Sequence, residues 1–291
     1  MTKRLFIKTG WLCCCLWVSG FAWAQQEGDA SPRLLHNAVM LGVGSNYVYD
    51  TYLSPLEYSG FGRMKVYGEW MRAVGKPSKK LSVRHSFDAH FSKTKNPLGN
   101  ASFLSGGLYY NLAYHRRFTP LPRLTLLAGG SFSPDLGMVY STRNGNNPVN
   151  ANVSVNLNLS AMALYQLNIR SYSVHLRAQI DVPTVGVLFS PHFGQSYYEI
   201  WALKDYEGLV HFASFHNQRA CRMLITADFP VGNVTIRGGY SGDFYRREVS
   251  NLSAYSVGHT FMIGLARDIL SFSGKRIKQL TKPSSFYLWE E

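Results

Sequence analysis

The sequence predicts an all-β fold, an antiparallel up-and-down transmembrane β-barrel of ten to twelve strands. Three observations predict it. Apolar and polar residues alternate with period two over stretches longer than soluble strands need. Short turns alternate with long loops, the layout of outer-membrane barrels. The first residues read as an export signal.

Residues 1–24 are read as a signal peptide. Lys3, Arg4 and Lys8 form its positive region, an apolar stretch runs from Gly10 to Trp23, and Ala22-Trp23-Ala24 fits the A-x-A rule, placing the cut after Ala24. The stretch falls short of the ~20 residues a spanning helix needs. Gly10-Trp11-Leu12 before Cys13 does not make a lipoprotein cleavage box. Cleavage removes Cys13, Cys14 and Cys15 and leaves Cys221, which excludes an internal disulfide and argues against a cysteine metal site. Residues 25–37 are expected to be a periplasmic N-terminal segment, 38–270 the barrel, and 271–291 a basic C-terminal tail with Lys275, Arg276 and Lys278.

Composition agrees with a barrel. Charged residues are 16% of the chain, against roughly 25% in ordinary domains. Aromatic residues are 14%, which argues against a disordered chain. The mean hydropathy of −0.12 suits a sheet with one lipid-facing and one polar face. Of the formal charge of +13, three positive residues lie in the leader. The remaining excess favours anionic headgroups, with lipopolysaccharide a candidate partner beside the lipid bilayer and envelope proteins. The plainer reading is that Lys and Arg anchor the barrel at the membrane rims. Nothing beyond net charge points to nucleic acid.

The clearest strand is Asn152 to Ile169. Val153, Val155, Leu157 and Leu159 alternate with Asn152, Ser154, Asn156, Asn158 and Ser160. The same dyad marks Val174–Val182, Val234–Phe244, Leu81–Ser92, Tyr255–Ile269 and Arg63–Trp70. Ala38–Tyr49, Phe103–Phe118, Leu124–Phe132 and Cys221–Phe229 are less regular, and complete ten candidates. Short turns are expected at 75–80, 119–123, 170–173 and 230–233. Longer loops are expected at 50–60, 95–102, 133–151, 183–220 and 246–254. With the N-terminus periplasmic, the long loops face outward from the cell. The longest could hold a further hairpin around Tyr197–Trp201 and Leu209–Phe215, giving twelve strands. Tyr47, Tyr49, Trp70, Phe118, Phe132, Tyr165, Phe229 and Tyr245 lie near expected strand ends, as girdles require.

Two segments carry a resemblance. Asp50-Thr51-Tyr52-Leu53-Ser54-Pro55-Leu56-Glu57-Tyr58 and His211-Phe212-Ala213-Ser214-Phe215-His216-Asn217-Gln218 are similar to blocks of an uncharacterised Bacteroidota family, domain of unknown function family 3316. The resemblance implies an exported outer-membrane barrel. It supplies no activity, so no functional residue is carried over.

Ionisable residues collect on the lumen side of the dyads. They are Arg63, Lys65, Glu69, Arg84, Asp88, His90, His115, Arg117, His175, Arg177, Asp181, Arg222, Asp228, Arg237, Asp243 and Asp268. Mixed signs at this density predict a salt-bridge network filling the bore; the alternative is a narrow solute channel lined by charge. A third possibility is a lipid-modifying hydrolase using His211, Ser214 and His216, since a Ser activated by an oriented His cleaves esters. Against it, His211 and Ser214 are three apart, so an extended chain turns them to opposite faces. No metal ligand spacing and no cofactor motif occur. Tyr52, Leu56 and Tyr58 in the first loop are expected to cap the barrel or meet a partner.

Overall fold

The computed structural model describes residues 33–74, 80–169, 172–231 and 234–271. The expected signal peptide, residues 25–32 and the tail from 272 lie outside them. Among the described residues eleven strands occur: β1 (Arg33–Asp50), β2 (Ser54–Val74), β3 (Leu81–Lys95), β4 (Ser102–Leu121), β5 (Leu124–Ser141), β6 (Val149–Ile169), β7 (Tyr172–Phe189), β8 (Val210–Ser214), β9 (Gln218–Val231), β10 (Val234–Val249) and β11 (Leu252–Ser271). One short helix, α1 (Tyr197–Trp201), precedes β8.

Neighbours in sequence pair antiparallel except β8 and β9, and β1 pairs with β11 from Arg33↔Ser271 to Asp50↔Ala254, which closes the ring. The barrel has ten staves rather than eleven. β8 pairs with residues 185–189 of β7, and β9 pairs with residues 175–181 of the same strand. Both run in one direction, so β8 and β9 are one stave broken at Phe215–Asn217. The expected second hairpin is absent. Its first half is helix because Ser196 and Glu199 form a reciprocal capping box.

Alternation sets the faces. Leu157 and Leu159 are 55% and 64% exposed, whereas Asn156 and Asn158 are 3% and 4% exposed. Leu41, Val43, Met64, Val66, Phe261 and Ile263 extend the outward apolar belt. An exposed apolar wall around a polar interior is the inverse of a soluble barrel and fits hydrocarbon outside. Among the described residues no helix is long and apolar enough to cross a membrane; the strands are the spanning elements.

The strands run longer than the sequence reading allowed. β2 and β6 have 21 residues each, about twice the 9–11 a bilayer requires. The 133–151 loop shrinks to a turn between Ser141 and Val149, and β1 starts at Arg33 instead of Ala38. The expected girdle also needs correcting. Phe132 sits mid-strand and Tyr245 faces the interior, because its partner across β11 is Ser256.

Candidate functional site

Among the described residues, charges from many strands meet in the lumen. It is built in layers between a turn end, which carries the short turns, and a loop end, which carries the segment 190–209.

In the half nearer the loop end, three cations meet three carboxylates. Arg63 donates to Asp243 at 2.6 Å and to Thr260 at 3.0 Å. Lys65 donates to Asp243 at 2.8 Å and to Ser241 at 3.0 Å, and stands 3.5 Å from Asp88. Arg222 lies 3.6 Å from both Asp88 and Asp243, bonds Asp135, and stacks its guanidinium 3.6 Å over the Tyr109 ring. His90 is 3.9 Å from Asp88. Gly258 makes room for Arg63, since a Cβ there would fall 2.5 Å from its Cζ. A cavity of about 90 Å³ remains, lined in part by Arg63, His90, Asp135, Arg222, Asp243 and Tyr245.

Nearer the turn end, Glu69 is the hub. It accepts from Arg237 at 2.6 Å, from Tyr67 at 2.8 Å, and from both terminal nitrogens of Arg177. Arg237 also binds Asp228 at 2.6 and 2.7 Å and donates to His36 Nε2 at 2.8 Å, so the imidazole gives its Nδ1 proton to Asp268 at 2.6 Å. Beside this hub Arg84 holds Asp181 at 2.9 and 3.0 Å. Asp181 also accepts from Gln179 at 2.7 Å and from Ser160, which meets His115 at 2.8 Å. His175 lies opposite Asp228 across β9. Arg117 is half-buried near the turn end of β4.

Apolar layers separate and seal these groups. Met71, Leu127, Met162 and Leu164 cluster nearer the turn end, and Met40, Tyr67, Leu224 and Met262 beside the charges. At the loop end Tyr58 stacks on Phe103, ring centroids 3.6 Å apart, within a buried cluster that includes Val48, Leu53 and Val139. Tyr52 donates to the Gln195 carbonyl at 2.8 Å and meets the Tyr197 ring edge-on at 5.9 Å. Tyr197 in turn donates to Asn150 at 3.2 Å, and Ile200 of α1 is buried. Burial pushes the Tyr52 hydroxyl up to about 12, with Tyr197 and the Asp50 and Glu199 carboxylates adding to the rise. Thus Tyr52 and Tyr58 do cap the bore. Leu56, expected with them, points outward and is 40% exposed.

The hydrolase candidates divide. His211 faces Ser250 at 3.3 Å. Ser214 Oγ meets His216 Nδ1 at 2.6 Å, while the Ser214 amide donates to Asn217 Oδ1 at 3.0 Å. Among the described residues no carboxylate meets His216 and no group of three metal-type ligands converges.

Sequence reasoning missed Asp135 and Tyr109, whereas Tyr67 falls on the polar face of the Arg63–Trp70 dyad. Asp135 falls within the expected 133–151 loop, beside the turn former Pro134. Yet Ser131, Ser133 and Asp135 point inward in period two, while Pro134 lies opposite Val155 on the outer face. That polar alternation was the available signal.

Solved structures resemble the chain weakly. The outer membrane protease OmpT from Escherichia coli is 8% identical, with 84% of this chain and 99% of that chain covered at a TM-score of 0.49. The transport unit of the autotransporter AIDA-I from Escherichia coli is 9% identical, covering 88% and 94% at 0.44. The translocator domain of NalP from Neisseria meningitidis is 12% identical, covering 90% and 95% at 0.36. The fold itself rests on strand pairing. No curated protein matches the sequence. A family model matches residues 11–276, and the chain belongs to that family, described as protein of unknown function (DUF3316).

Proposed function

We propose that this chain is a closed, non-catalytic barrel of the bacterial outer membrane with a structural or binding role in the envelope, delivered by a signal peptide cut after Ala24. The observation that carries the reading is the filled bore. Ion pairs tie β2, β3, β7, β9 and β10 together across the lumen, and the Tyr52–Tyr197 contact covers the mouth. Paired charges that satisfy one another leave no continuous row of sites for a passing solute. Binding therefore falls to the outside. The long loop supports this, since Phe193, Tyr198, Trp201, Leu203 and Tyr206 are all more than half exposed, and exposed apolar patches mark interaction sites.

Single-channel recording in planar bilayers tests the reading. The intact barrel passes no steady current; a reproducible open level would replace this reading with the narrow channel. A second reading, a lipid hydrolase, draws on the 2.6 Å contact between Ser214 and His216. It lacks the third group that orients the base.

A further inference from the structure

We propose that the outer wall at the loop end carries a binding groove for a phosphorylated saccharide, the headgroup chemistry of an outer-leaflet glycolipid. The inference rests on the binding role above and names its site. Register places Glu57, Tyr49, Tyr255, Arg246 and Arg219 in one row across five strands, β2, β1, β11, β10 and β9. Directly paired residues share a face, and here the face is the outer one. Six pairs closer to mid-strand, about 20 Å along the strand at ~3.3 Å per residue, β1 and β11 carry Val43 and Phe261, 64% and 71% exposed, in the apolar belt. The row therefore stands beyond these belt residues on the loop side, where the sugars of an outer-leaflet glycolipid extend.

Its chemistry suits a sugar. The Tyr49 and Tyr255 rings lie 4.8 Å apart, and Tyr47 stacks on Tyr255 at 5.5 Å, giving an amphipathic platform. The Tyr255 hydroxyl donates to Glu57 at 3.0 Å, which fixes a carboxylate at the edge of the platform. Arg246 and Glu248 pair on the opposite edge. Tyr49, Tyr255, Glu57, Arg246 and Glu248 line, with Pro55 and Leu56, a groove of about 550 Å³. A concave site with aromatic walls and a few placed polar groups is the usual form of a small-ligand site. Carboxylates accept from vicinal hydroxyls, and Arg donates to ring and hydroxyl oxygens. Cations flank the platform on both sides: Lys93 and Lys95 are exposed on β3, and Arg219 is exposed on β9. These suit phosphate groups on either side of the sugar. A plain aromatic girdle would account for the tyrosines, but not for carboxylates and cations set in register around them.

The test uses the full barrel in detergent micelles and four probes: rough-type lipopolysaccharide, phosphatidylethanolamine, a soluble glucosamine disaccharide bisphosphate and the same disaccharide without phosphate. Native mass spectrometry and titration calorimetry read retention and affinity. The first and third probes bind and the second does not. Tyr49→Ala with Tyr255→Ala weakens both by tenfold or more, whereas Phe at both positions keeps the platform and most of the affinity. Lys93→Gln with Lys95→Gln weakens the bisphosphate but leaves the weaker binding of the unphosphorylated disaccharide unchanged. Circular dichroism and the heat-dependent shift in gel migration confirm that each variant is folded. Binding of the disaccharide that bilayer lipopolysaccharide does not displace supports the site and assigns it to a free glycan. Retention of lipopolysaccharide unaltered in the folded Ala variant, or equal retention of phosphatidylethanolamine, overturns the proposal. Conductance bears only on the closed bore, so the two ideas fail separately.

Discussion

Arg237 Nη1 lies 2.6 Å from Glu69 Oε1, and both side chains are fully buried. This contact joins β10 to β2 across the bore, and Arg177 brings β7 to the same carboxylate. Removing one member of such a set strands the others without water.

Glu69→Gln is therefore expected to destabilise the barrel by about 3–5 kcal/mol, the cost of leaving buried charges uncompensated. Urea unfolding from lipid vesicles measures it. An unchanged midpoint would mean that the bore admits enough water to solvate Arg177 and Arg237.

Leu159→Arg places a cation near the middle of β6 on the outward face. The expected cost is ~2–4 kcal/mol if hydrocarbon covers that position. Insertion yield and unfolding in the same vesicles read it. A neutral result would show that the apolar wall does not face lipid.

Tyr58→Ala removes a buried ring that stacks on Phe103. The expected loss is about 3–5 kcal/mol, from transfer and cavity together. Leu56→Ala, on the outward side of the same strand, is expected to cost little. The contrast checks which of the two seals the mouth.

The mouth is also expected to loosen in alkali. The folded Tyr52 hydroxyl titrates at about 12, above its unfolded value of ~10. A raised value means that the neutral form is favoured by folding. The contribution is complete below pH ~10 and is lost as pH rises through the folded value. Protease nicking of the 190–209 segment should rise across that window, and Tyr52→Phe should flatten the part due to this hydroxyl. Nicking that rises identically in the Phe variant would assign the change to another group.

Ser214→Ala and His216→Ala are expected to leave acyl release from labelled phospholipid at the level of the unaltered barrel. A drop of tenfold or more in both would bring the hydrolase reading forward.

Much of the fold was legible because the bilayer imposes period two on every spanning strand. Leu157 and Asn158 carry that rule without ambiguity. It blurs where a turn former interrupts it. The loop-end halves of β5 and β7 read as loop at Pro134 and Pro183, which hides Asp135, although Leu136, Met138, Val185 and Val187 keep the outward apolar positions. The Ser196–Glu199 capping box is visible in the sequence, within the expected 183–220 loop, but a hairpin strand around Tyr197–Trp201 was the alternative weighed there instead of a helix. The lumen residues were legible as a set. Which carboxylate meets which cation was not, because partners such as Glu69 and Arg237 lie far apart in the chain and depend on the register of several strands at once.

The broken stave sets where the wall would tear. β1 and β11 are paired from Arg33 to Asp50, so the join between the ends of the chain has no gap. β7 holds β9 only from His175 to Asp181, Pro183 brings no amide hydrogen, and pairing resumes with β8 at Val185. Pulling, heat or an inserting machine would thus part the cylinder along β7 before its seam of closure. Amide exchange around Val182 and Cys221 should report the first opening.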